Sequence, residues 1–190
     1  MTELIDVLRQ EHRNIEKLLK VLERELAVFD RSDRPDYEVL FAVISYFTDY
    51  PDACHHPKED LIYAKLLLRD HATAAAIGDL EAEHREGARR LRRVAVAVEK
   101  VLDDQDLLRR DVNKIVRDFI VHERRHMAKE ERLLFPAALK ALQPADWADV
   151  ALQLADRYDP LNEPSTEQKY EALRRTILKL EDEAEAERVH

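Results

Sequence analysis

The sequence predicts an all-α protein: an up-down-up-down four-helix bundle followed by a helical C-terminal extension. Three observations predict it. Glycine occurs twice and proline seven times in 190 residues, too few turn-formers for a protein built of many short strands. Apolar residues recur at steps of three and four along four long stretches, the period of one helix face. Short polar breaks separate the stretches, and short connections make neighbouring helices antiparallel.

The first helix is expected from about Thr2, its N-cap, to Phe29. Its stripe is Ile5, Leu8, Ile15, Leu19, Leu22 and Leu26, and His12 fills the one gap. "DRSDRPD" (30–36) is a turn. The second helix runs from about Tyr37 to Leu68 through Leu40, Ile44, Phe47, His55, Glu59, Ile62 and Leu66, with Pro51 and Pro57 as local kinks. "RDHATAA" breaks the chain again. A third helix comes next, from about Thr73 to Leu102, through Ile77, Leu80, Ala88, Leu91, Ala95 and Val98, with His84 in its gap. After "DDQD" the fourth covers about Leu107 to Leu142 through Val112, Ile115, Phe119, His122, His126, Glu130 and Leu133, with Pro136 near its end. The bundle is thus expected in residues 1–142 and the extension in 143–190.

In the extension, "PADWADVALQLADRYD" reads as a short helix with Trp147, Val150, Leu154 and Tyr158 on one face. "PLNEPST" is a linker. The last segment places Tyr170, Leu173, Ile177, Leu180 and Ala184 at heptad spacing. That stripe either docks on the bundle or pairs with a second copy of the chain as a homodimer.

Charge and composition exclude several functions. The net charge of −9 disfavours non-specific binding to nucleic acid or to an anionic membrane surface. No run of about 18 apolar residues offers a membrane span. The N-terminus lacks a basic segment followed by an apolar one, and the lone Cys54 rules out an internal disulfide, so a soluble cytoplasmic protein is expected.

The polar letters on the apolar stripes repeat. "EHRNIEKLL" at Glu11 resembles "EHREGARRL" at Glu83, and "HHPKED" at His55 resembles "HMAKEE" at His126. One helical hairpin therefore occurs twice, and the letters it shares are mainly His and Glu. At about 1.5 Å per residue, His12 and His55 lie roughly 26 Å from the turn they share, and His84 and His126 roughly 28 Å from theirs. One histidine from each helix thus reaches one level of the core. Glu59 and Glu130 come four residues after His55 and His126, on the same helix faces. Several imidazoles and two carboxylates buried together cost many kcal/mol unless a cation joins them. His12, His55, His56, Glu59, His84, His126 and Glu130 supply enough donors for two six-coordinate first-row metal ions that share carboxylates. Asp60, Glu131 and His122 are competing donors.

These residues carry a family resemblance. The "EH" openings at His12 and His84, the H-x-x-x-E pairs His55–Glu59 and His126–Glu130, and the "EERLLFP" that includes the second glutamate resemble the hemerythrin-like (HHE cation-binding) domains, over about Thr2 to Leu142. The resemblance implies an oxo- or hydroxo-bridged pair of non-haem iron ions. It also implies O2, or another small diatomic or peroxide ligand, at an open coordination position. The chain departs from the marine oxygen carriers, whose third helix supplies two histidines four apart. Here that helix offers only His84, and His56 is the candidate for the missing nitrogen. Three functions remain: oxygen binding or sensing with iron or redox response; a di-iron enzyme acting on peroxide or nitric oxide; or a regulatory bundle with a structural metal. A ferritin-like alternative, built on Glu81-x-x-His84 and Glu123-x-x-His126, leaves His12 and His55 buried without a role.

Overall fold

The computed structural model describes residues 3–103, 105, 107–157 and 166–189, and the regular structure among them is entirely helical. Helix α1 spans Glu3–Asp30. Helix α2 (Tyr37–Tyr50) continues through a π-helical turn, Pro51–His55, into α3 (His56–Arg69). A short α4 (His71–Ile77) precedes α5 (Leu80–Leu102). Helix α6 (Arg109–Lys129) continues through a second π-helical turn, Glu130–Leu134, into α7 (Phe135–Ala141). Helices α8 (Pro144–Arg157) and α9 (Thr166–Val189) form the tail. The expected cap Thr2, the face residue Tyr158 and the linker lie outside the described residues.

Local chemistry sets the boundaries. Asp36, Asp70 and Asp79 each cap a helix by accepting a hydrogen bond from the backbone N–H three residues on. The expected third helix is two helices, because Gly78 leaves helical geometry at φ +92° and Asp79 starts α5 afresh. Each π-helical turn ends close before a proline. His56 donates its backbone N–H to the Pro51 carbonyl ahead of Pro57, and Phe135 donates to Glu130 ahead of Pro136. A proline ring clashes with the carbonyl four residues back, and a wider turn relieves the clash. The extra residue also rotates the helix beyond it.

Helix α1 packs on α2 and α6, and α5 packs on the same two, while α3 packs on α7 further along. The interior holds two apolar clusters. One contains Ile15, Leu19, Leu22, Phe47, Leu91 and Phe119. The other contains Ile5, Leu8, Ile62, Leu66, Leu134 and Phe135. His12 stands between Leu8 of the second and Ile15 of the first, so a polar belt divides the core.

The tail folds back on its own chain. Trp147 and Val150 of α8 join the second cluster, and Asp146 accepts from Arg69 at 2.8 and 2.9 Å. Helix α9 lies on α1 and α2. There Ile177 is fully buried, and Tyr170 meets Tyr46 and Tyr50 edge-on at 6.1 and 5.4 Å. Of the apolar stripe of α9, Ile177 and Ala184 are buried within the chain, and Tyr170, Leu173 and Leu180 are partly buried.

Candidate metal centre

His12, His55, His84 and His126 meet in the polar belt, one from each long rod, and all four are buried. Glu59 and Glu130 lie between them at 0% exposure. Their oxygens divide the histidines into two sets. Glu59 Oε1 is 3.4 Å from Nε2 of both His12 and His55, and Glu130 Oε2 is 3.3 Å from His12 Nε2. The other oxygens face the other pair. Glu59 Oε2 is 3.6 Å from His84 Nε2, and Glu130 Oε1 is 3.8 Å from His84 Nε2 and 2.9 Å from His126 Nε2. Two four-donor groups result, His12–His55–Glu59–Glu130 and Glu59–His84–His126–Glu130, with the donor atoms of each within 4.8 Å of one another. Each carboxylate turns one oxygen to each group.

The donors fit cation binding. Nε2 of His12, His84 and His126 and all four oxygens of Glu59 and Glu130 are buried without a hydrogen-bond partner. Such atoms carry a large desolvation cost unless something binds them. Neutral imidazole and carboxylate together suit first-row metals. Without cations, protons take their place. Burial pushes His12 down, but the Glu130 and Glu59 carboxylates facing it override that and raise its pKa to about 10. The same contest raises His84 to about 9 and His126 to about 11. Glu130 is held well below the ordinary carboxylate range: burial opposes ionisation, and the facing imidazoles outweigh it.

The outward nitrogens are as ordered as the inward ones. Each Nδ1 faces a carboxylate: His12 faces Glu131 at 3.1 Å, His55 Glu11 at 2.8 Å, His84 Asp60 at 3.6 Å and His126 Glu83 at 3.1 Å. A carboxylate on Nδ1 fixes the ring and directs Nε2 inward. Two of these carboxylates are held in turn by lysines. Lys58 Nζ lies 2.5 Å from Glu11 Oε1, and Lys129 donates to Glu83 Oε1. Thus Lys58–Glu11–His55 and Lys129–Glu83–His126 are the same relay, once per hairpin. Asp60 and Glu131 reach across to the other hairpin's histidine.

Among the remaining expected donors, His56 forms a third candidate group with His84 and His126, without a carboxylate. His56 is half-buried, faces Asp52 through Nδ1 at 2.9 Å and stacks on His84 at 3.7 Å. Its nitrogens come near those of His84 and His126, but it joins neither group that contains the carboxylates. The π-helical turn turns His55 inward and leaves His56 beside the centre. Glu131 and Asp60 bear on imidazole Nδ1 atoms. His122 faces the Glu83 backbone carbonyl through Nε2 at 3.2 Å. Of the ferritin-like residues, Glu81 is exposed and pairs with Arg85, and Glu123 lies outside both donor groups.

The aromatic residues beside the centre separate into two sets. Phe47 and Phe119 meet edge-on at 5.4 Å and line a cavity of about 150 Å³ beside His84 and His126. Tyr50 lies instead over His55, their ring centres 6.4 Å apart, and Tyr46 stacks on Tyr50 at 4.7 Å. Glu11, Lys58, Glu83 and Lys129 were not expected in the site, although the repeat carries all four of their letters.

Compared with known families, residues 3–143 match the model described as hemerythrin HHE cation binding domain. The comparisons with curated proteins and with solved structures return no match.

Proposed function

The chain belongs to the hemerythrin HHE cation-binding family, and from that membership and its donor set we propose that it is a non-haem di-iron protein that binds O2 or a related small ligand. One observation carries the reading: two groups of buried donors share both carboxylates, Glu59 and Glu130. A single ion has no use for this arrangement, because each carboxylate faces two ways. In this reading His12 and His55 would hold one iron and His84 and His126 the other, with Glu59 and Glu130 offering an oxygen to each. The ions would supply coordination positions beyond the four protein donors of each group, open to a small ligand.

The chain's own residues orient and insulate the centre. Glu11, Asp60, Glu83 and Glu131 hold the imidazoles through Nδ1, which leaves Nε2 for metal. The two apolar clusters on either side keep bulk water from the carboxylates. We assign the bundle, read as up-down-up-down, to residues 1–142 and the docked extension to 143–190. His56 is left out of the ligand set.

The test is metal content and the visible spectrum of protein purified with iron, before and after reduction and re-exposure to air. Two irons per chain, with absorption bands that return on each cycle, are expected. A single zinc, or no metal and no visible band, refutes the reading.

A further inference from the structure

The donor set is nearly two-fold symmetric, but the space around it is not. The cavity of about 150 Å³ is lined by His84 and His126, and by neither His12 nor His55. One water needs roughly 10–15 Å³ of such space, so a molecule of two or three atoms fits with room to turn. Asp52, His56 and Arg92 line this cavity and also a wider surface depression, which provides a way in.

Gly87 lines the cavity, and its missing side chain makes room there for Glu123. It lies in the interior of α5, where glycine is about 0.5–1 kcal/mol less favourable than alanine. A Cβ there would come within 2.7 Å of Glu123 Oε1 and 3.4 Å of His122 Nε2. The corresponding residue of the first hairpin, offset by 72 as His12 is from His84, is Ile15, which is buried in the apolar core. One hairpin therefore fills this place with a branched side chain, and the other empties it.

Glu123 occupies the emptied place. Its carboxylate lines the cavity and, among the described residues, forms no hydrogen bond or ion pair. The other carboxylates near the centre all face an imidazole.

We propose that exogenous ligand enters on the His84–His126 side of the centre, in the cavity beside Gly87, with the Glu123 carboxyl as its hydrogen-bonding partner. The ligand class is a small oxygen or nitrogen species of two or three atoms, such as dioxygen, hydrogen peroxide or azide. This rests on the di-iron reading above and adds to it the face of the centre that is used and the residues that select for size.

Azide is the probe, titrated into the iron-loaded full chain and followed by the change in visible absorption. Gly87→Val is expected to weaken azide binding at least 10-fold while two irons per chain are retained. Gly87→Ala, which forces Glu123 to move, and Glu123→Ala, which removes the hydrogen-bonding partner, should each weaken it about 3-fold, and Gly87→Ala/Glu123→Ala should weaken it no further than Glu123→Ala alone. Alanine raises helix propensity, so this pair reports even if the valine variant does not fold. Azide affinity equal to wild type in an iron-replete Gly87→Ala or Gly87→Val protein overturns the inference and leaves the di-iron reading standing. A wild-type chain that takes up no iron overturns both.

Discussion

The two lysine relays have the same chemistry at different depths, and this predicts unequal costs. Lys58 and Glu11 have side chains only 5% and 10% exposed, whereas Lys129 and Glu83 are 23% and 31% exposed. Lys58→Met keeps the length of the side chain and removes its charge. It leaves the Glu11 carboxylate buried, with the His55 imidazole still against it. Breaking a buried pair by removing one partner costs about 3–5 kcal/mol. His55 still supports the carboxylate, so the low end, about 3 kcal/mol, applies. Lys129→Met breaks a pair open to water, where such pairs contribute about 1 kcal/mol or less. At about 2–4 °C per kcal/mol for a chain of this length, Lys58→Met should lower the melting temperature by about 6–12 °C and Lys129→Met by about 2–4 °C. The assay is thermal unfolding of the metal-free proteins followed by circular dichroism at pH 7. Equal losses, or a larger loss for Lys129→Met, refute the assignment of the two depths. In the iron-loaded proteins each substitution should also weaken metal binding by roughly 10- to 100-fold, because each loosens the carboxylate that orients a histidine.

The same geometry makes three further predictions. Glu130→Ala removes a donor from both groups at once, so iron content should fall from two to below one per chain, while His56→Ala should leave it at two; metal analysis of the purified variants decides, and full loading of Glu130→Ala would falsify the shared-carboxylate arrangement. In the metal-free protein, His12, His84 and His126 titrate near 10, 9 and 11 when folded and near 6.5 when unfolded, so their contribution is complete below about pH 6.5 and is lost as pH rises through 9 to 11. Its melting temperature should therefore fall between pH 7 and 9.5, and the gap to the iron-loaded protein should widen; a flat or rising metal-free curve contradicts the raised values. Ile177→Ala should cost about 2–4 kcal/mol in denaturant unfolding, since Ile177 is fully buried where α9 meets the bundle, and no cost would mean that the tail is undocked.

Much of this was legible in the sequence because it obeys a period. The stripes of α1 and α5 locate His12 and His84 by the gaps they fill, and i,i+4 spacing ties Glu59 to His55 and Glu130 to His126. The illegible part depends on contacts between distant segments or on a break in the period. His12 meets Glu131 across 119 positions, and no helical periodicity encodes that pairing. The rotation of His56 away from the carboxylates depends on an extra residue in the turn before Pro57, which an ideal 3.6-residue pattern does not contain. The expected third helix reaches back to Thr73 because Ile77 and Leu80 continue the stripe, although Gly78-Asp79 spells a helix end followed by a cap. Glu11 and Lys58 are visible as repeated letters, but charged residues on a helix usually face water, and only the fold shows them buried.

The repeat explains why polar letters survived where apolar ones diverged. An apolar stripe tolerates exchange among Leu, Ile and Val as long as volume is kept. A Lys–Glu–His relay tolerates exchange less well, because the loss of any member leaves another charged or polar group without its partner, most of all in the buried Lys58–Glu11–His55 relay. Both hairpins therefore keep Glu-His and His-x-x-Lys-Glu, and the acid after each glutamate reaches the opposite hairpin, Asp60 to His84 and Glu131 to His12. That exchange couples the halves: neither hairpin completes the outward contacts of its own histidines. Once coupled, the pair can accommodate asymmetry only at positions outside the relays. Ile15 and Gly87 are such positions. A branched side chain on one side and none on the other leaves the donors matched while admitting the Glu123 carboxylate beside one pair of them.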